Sequence, residues 1–109
     1  MSDSAGLTTG TRKQKLFFKC TTHDHWPVLI SGDAPELGAW NLSAAVVMQS
    51  NPRPHGRFEW HAQAELPLGL TIEYKFVQKS DHGPRWESGS NHRFTVIPDL
   101  HTLERDFRE

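Results

Sequence analysis

Two tryptophans stand where a large apolar ring gains little unless it meets a ligand. Trp40 ends the stretch APELGAWN, in which Pro35 and Gly38 enforce a turn and Asn41 follows. Trp86 lies in RWESGSN, between Arg85 and Glu87 and ahead of a run of Ser, Gly, Ser and Asn. Both are read as loop residues, and loops lie on the surface and carry function more often than packing. A flat indole facing water suits a ligand with apolar faces and polar edges. A glucose unit is of this kind, with a patch of C–H groups on its face and a belt of hydroxyls around it. If an indole covers roughly 60 Å² of sugar face, burial at ~25 cal/mol/Å² gives about 1.5 kcal/mol per ring. Two rings and a few hydrogen bonds of about 1 kcal/mol each then give micromolar to millimolar affinity after association costs.

The other two tryptophans read differently. Trp60 falls on the apolar side of the alternating run RFEWHAQAEL, with Phe58, Ala62 and Ala64, and is assigned to the core. Trp26, in THDHWPV just ahead of a strand, either caps one end of the fold or stands exposed.

Other chemistries fare worse. Asp33, Glu36, Glu73, Glu87 and Asp99 offer the carboxylate pairs a glycosidase needs. Among 13 acidic residues in 109 such pairs are unavoidable, and the chain is short for a deep cleft. No catalytic residue is assigned. His23-Asp24-His25 could share a face, yet no third ligand follows at a recognisable spacing, so no metal is implied, nor any organic cofactor. Cys20 ends the apolar run LFFKC and reads as a small core residue, not a nucleophile.

These residues need a scaffold, and the sequence indicates one made of strands. Short β-rich runs are broken by Gly, Pro, Asn and Asp every ten residues or so, with no sustained helical period. In LTIEYKFVQK, Ile72, Tyr74 and Phe76 form an inward face, while Glu73, Lys75 and Gln78 stay out of that apolar set. LPLG, with Pro67 and Gly69, reads as the turn of a hairpin joining this strand to RFEWHAQAEL. KLFFKC, VLISG, AAVVMQ and HRFTVI supply further strands. SNPRPHG is a loop, and HTLERDFRE is read as a last edge strand in preference to a short helical tail. Residues 1–13 are small and polar and read as a disordered leader, leaving 14–109 as a single all-β domain. With 12 Lys and Arg against 13 Asp and Glu, no field of one sign attracts nucleic acid or an anionic membrane. A lone cysteine and a start without an export signal fit an intracellular compartment; the sequence says no more about localisation.

Three runs in order, GDAPELGAWN, ELPLGLTIEYKFV and RWESGSNHRFTV, resemble the starch-binding domain of carbohydrate-binding module family 20 over roughly residues 15–97. The resemblance implies an immunoglobulin-like antiparallel β-sandwich without catalytic activity. It implies binding of α-1,4-glucan (starch, glycogen, maltooligosaccharides or cyclodextrin), usually as a module covalently linked to an enzyme. Trp40 and Trp86 would then stack on consecutive glucose units, and Lys75, Glu87 and Asn91 would hydrogen-bond the hydroxyls. The family often has a second site built on tyrosines. This chain departs there, since THDHWPV and SNPRPHG contain none and Tyr74 sits on an apolar face; Trp26, His25 and His55 are the candidate replacements. The parent activity is not encoded, and an amylase, glucoamylase, glucan dikinase, glucan phosphatase or scaffold protein is compatible. The rival reading is a regulatory or protein-docking sandwich whose tryptophans are hot spots for a partner chain. The polar residues escorting the rings favour sugar.

Overall fold

The alternation of apolar and polar residues is the main determinant of the architecture. The computed structural model describes residues 12–109, with the side chains of Pro52, Arg53 and His55 outside that description. Strand β1 (Lys13–Thr22) turns Leu16, Phe18, Cys20 and Thr22 inward. It pairs antiparallel along its whole length with β5 (Arg57–Pro67), from Lys13 opposite Pro67 to Thr22 opposite Phe58. β4 (Gln49–Arg53) takes the other side of β5, and β9 (Thr102–Asp106) runs parallel to β1 as the sheet edge. The end of the chain expected as an edge strand is one. Lys13, expected in the leader, opens β1; residues 1–11 of that leader lie outside the described residues.

The second sheet has the order β3-β2-β6-β7, with β8 also paired to β6. These strands are β2 (Val28–Gly32), β3 (Val46–Val47), β6 (Thr71–Ser80), β7 (Gly83–Trp86) and β8 (His92–Thr95). β7 lies against residues 77–80 of β6 and β8 against residues 71–74, so segment 87–91 between them spans the middle of β6. The two sheets bury one core, with Leu16, Phe18, Trp60 and Leu66 from the first and Ile30, Ile72, Tyr74 and Phe76 from the second. Phe18 meets Tyr74 edge-on across the layers, at 5.3 Å between ring centres. Cys20 is fully buried, and burial pushes its thiol well above the ordinary range, as suits an inert core residue.

Three expectations are corrected here. SNPRPHG, expected as a loop, gives residues 50–53 to strand β4, on the edge of β5 that β1 leaves open, and residues 54–56 to a 3₁₀ turn. LPLG does not make a hairpin, because β5 and β6 belong to different sheets. Both edges of β5 are already occupied, one by the long strand β1 and the other by β4, so the turn carries the chain across the core. Its amides are satisfied elsewhere: Leu68 N donates to Arg12 O and Gly69 N to Val96 O. Gln78 also does not stay out of the inward set. It keeps the parity of Ile72, Tyr74 and Phe76 and is 1% exposed. Its amide is satisfied by the Asp24 carboxylate, which accepts from Nε2, and by Arg85, whose Nη1 donates to Oε1 at 3.1 Å. Burial of a polar side chain is tolerated where its donors and acceptors are matched.

Candidate functional site

Trp40 is presented by a backbone that few residues adopt. After β2 the chain enters a 3₁₀ turn (Pro35–Leu37) anchored by the buried Leu37, and Gly38 then takes a left-handed φ of 85°. A Cβ on Gly38 would come within 2.7 Å of Ala44 O, so both conformation and space require glycine. Ala39 and Trp40 follow with φ of 49° and 66°. Left-handed geometry costs an L-residue about 1–2 kcal/mol. The strain is held by the hydrogen bonds of Ala39 N to Ala34 O, Trp40 N to Gly32 O and Asn41 N to Gly38 O. Asn41 then caps the next 3₁₀ turn (Leu42–Ala44), its Oδ1 accepting from Ser43 N. A bulky residue held in such a conformation by its surroundings is a candidate functional position.

Trp86, expected in a loop, is instead the last residue of β7, paired with Val77. Pairing with Val77 fixes the backbone that carries the ring. The Trp40 and Trp86 rings lie 6.2 Å apart between centres, tilted by 47°, and are 37% and 41% exposed. With Lys75 and Asn91 they line one shallow depression. Four of the five predicted residues are thus brought together. Lys75 stands on the outward face of β6, where Nζ donates to Glu87 O at 3.1 Å. Asn91 donates from Nδ2 to Glu73 Oε1 at 2.9 Å, and Glu73 N donates to Asp33 Oδ1. Glu73, two residues before Lys75 on the same face of β6, is a further residue that strand parity places beside the depression.

The fifth, Glu87, does not face the depression. It is 1% exposed, and its carboxylate points inward. Oε1 accepts from Phe76 N at 2.9 Å and lies 2.7 Å from His92 Nε2, while Oε2 accepts from Arg108 Nε at 3.1 Å. Residues alternate across a strand, so the residue after the outward Trp86 turns in. Burial pushes the Glu87 carboxyl up, but His92, the Phe76 amide and Arg108 outweigh it and hold the group below the ordinary carboxylate range. A carboxyl lowered in the folded state stabilises the fold above its unfolded value, near 4.5, and that contribution is lost as pH falls through the folded value. Melting temperature should therefore drop as pH is lowered below about 4.5, and Glu87→Gln should flatten that part of the profile in scanning calorimetry. An unchanged slope in the variant would contradict the assignment.

At the other end of β2, His25 and Trp26 stack with their rings 4.7 Å apart and 28° from parallel, His25 exposed and Trp26 half-buried. The backbone of His55 lies in a 3₁₀ turn (Pro54–Gly56), but its side chain is outside the described residues.

A family model described as a starch binding domain, CBM_20, matches residues 13–105. The chain belongs to this family. The starch-binding domain is a non-catalytic module, and here it is a β-sandwich. Over 77 residues it is 38% identical to the cyclomaltodextrin glucanotransferase of Geobacillus stearothermophilus, covering 70% of this chain and 11% of that protein. It is 33% identical over 76 residues to glucoamylase-1 of Arthroderma benhamiae, covering 70% of this chain and 12% of that protein. The domain thus spans only about a tenth of the length of these curated relatives. The family 20 CBM of a maltotetraose-forming amylase from Pseudomonas saccharophila shares the fold, with a TM-score of 0.69 at 22% identity, covering 86% of this chain and 100% of that one.

Proposed function

We propose that this starch-binding domain holds an α-1,4-glucan on Trp40 and Trp86, with Lys75 and Asn91 hydrogen-bonding the sugar hydroxyls. The observation that carries this reading is the tilt of the two exposed indoles, 47° at 6.2 Å, over a depression flanked by an ammonium and an amide. Successive units of an α-1,4 chain turn relative to one another, so two tilted surfaces each meet a sugar face. A flat β-1,4 ribbon meets only one of them well. Glu87 serves from beneath: its main-chain oxygen receives Lys75, and its carboxylate fixes the strand end that carries Trp86. The His25–Trp26 stack offers a smaller second ring surface for a neighbouring glucan segment.

The kinship with cyclomaltodextrin glucanotransferase and glucoamylase, each far longer than this chain, supports a module that targets a linked starch- or glycogen-active enzyme to its polymer. Isothermal titration of the 109-residue chain with β-cyclodextrin and with cellohexaose tests the binding. Saturable cyclodextrin binding in the micromolar to millimolar range is expected, with no cellohexaose signal. A folded domain that ignores cyclodextrin would overturn the reading and leave the tryptophans as a protein-docking surface.

A further inference from the structure

We infer that Arg108 is a positioning residue of the glucan platform, locking the segment that carries Trp86 and Asn91 before any ligand arrives; this rests on the glucan reading. Arg108 lies just beyond residues 13–105, the part of the chain that the family model matches. The tail is itself anchored. Phe107 is buried in the core, and its amide donates to Thr21 O at 3.0 Å.

From that anchor Arg108 reaches segment 87–91 in four ways. Its main-chain oxygen accepts from Ser88 N at 2.9 Å. Nε donates to the buried Glu87 carboxylate at 3.1 Å, and Nη2 donates to Ser90 O. Gly89, at a left-handed φ of 83°, presses its backbone against the guanidinium so closely that a Cβ there would lie 3.0 Å from Nη1. Glu109 continues the embrace on the other side of Trp86, accepting from Arg85 Nη2 at 3.0 Å.

The need for such a clamp follows from the segment's composition. Glu87-Ser88-Gly89-Ser90-Asn91 contains three small, flexible residues, and its exposed turn has no sheet partner between β7 and β8. A loop left to order itself on binding would charge that entropy against affinity. The planar fork of arginine holds the carboxylate through Nε and the carbonyl through Nη2, a fixed span that the single nitrogen of lysine does not reproduce. Arg108 acts through residues 87–90, the segment that joins Trp86 to Asn91.

Arg108→Met and Arg108→Lys test the inference, with β-cyclodextrin titration, hydrogen exchange of the amides of residues 88–91 in ligand-free protein, and thermal melting. Arg108→Met should weaken cyclodextrin binding roughly tenfold, ~1.4 kcal/mol, and speed exchange in the segment. Arg108→Lys keeps a cation beside Glu87, so it should melt close to wild type while still losing affinity several-fold; a merely structural arginine would not separate the two. Wild-type affinity in both variants, or unchanged exchange in Arg108→Met, would overturn the proposal. If the wild-type domain binds no cyclodextrin, the glucan reading fails, while the exchange rates still decide whether the clamp holds the segment.

Discussion

Trp86→Ala is expected to remove β-cyclodextrin binding, by at least ~30-fold or about 2 kcal/mol, while leaving the folded domain almost as stable as wild type. The ring is 41% exposed at the end of an edge strand, and its hydrogen-bonded neighbours are joined through backbone and not through the indole. Surface truncations of that kind usually alter stability by no more than ~0.5 kcal/mol. Trp40→Ala should lose binding similarly. Trp40→Gly adds a second, opposite readout: it removes the ring but relieves a φ of 66°, so melting temperature should rise as affinity disappears. Calorimetric titration paired with thermal melting checks all three variants. A large fall in melting temperature for Trp86→Ala would show that the ring is a lid over the core and not a surface for sugar.

The legibility of this domain in its sequence divides along physical lines. Alternation identified the inward faces of β5 and β6, since burial of one face is a local property of period two. It could not identify their partners, because pairing depends on which strands compete for an edge; β1 and β4 took both edges of β5, and the expected hairpin became a crossover. Trp40, Lys75, Trp86 and Asn91 were readable from types and motifs, and they line one depression. Glu87 was expected at the ligand only because the family resemblance implies it. With Trp86 read as a loop residue no parity was available, and its inward turn follows only once Trp86 ends β7, with compensation from His92 and, 21 residues away, Arg108. Nothing in the local sequence around Arg108 announces that partnership, since it exists only once β9 has brought the tail alongside β1. Gln78 repeats the lesson: its inward parity was readable, its satisfaction by Asp24 and Arg85 was not.

The same separation of platform from scaffold predicts that Trp60→Ala does the reverse of Trp86→Ala, costing about 3–5 kcal/mol of folding stability as a core truncation. Trp60 is 5% exposed and belongs to the core cluster, so its removal leaves a cavity that the two sheets can close only in part. It also takes a partner from a buried hydrogen-bond chain. Trp60 Nε1 donates to Thr22 Oγ1 at 2.8 Å, and Thr22 in turn donates to the Asp24 main-chain oxygen at 2.9 Å. For a domain of this size each kcal/mol shifts melting by roughly 4–8 °C, so a fall of more than about 12 °C in a circular-dichroism melt is expected. Trp60→Phe keeps most of the ring and loses chiefly the hydrogen bond, so it should cost only about 1 kcal/mol. A loss below that figure for the alanine variant would place Trp60 outside the core. Below its melting transition, Trp60→Ala should still bind β-cyclodextrin within a few-fold of wild type. The indole lies on the sheet opposite the platform, and among the described residues its hydrogen-bond network reaches the platform strand through Asp24, Gln78 and Arg85. Stability and recognition are thus expected to separate onto different tryptophans, one pair tilted towards solvent and one ring sealed between the sheets.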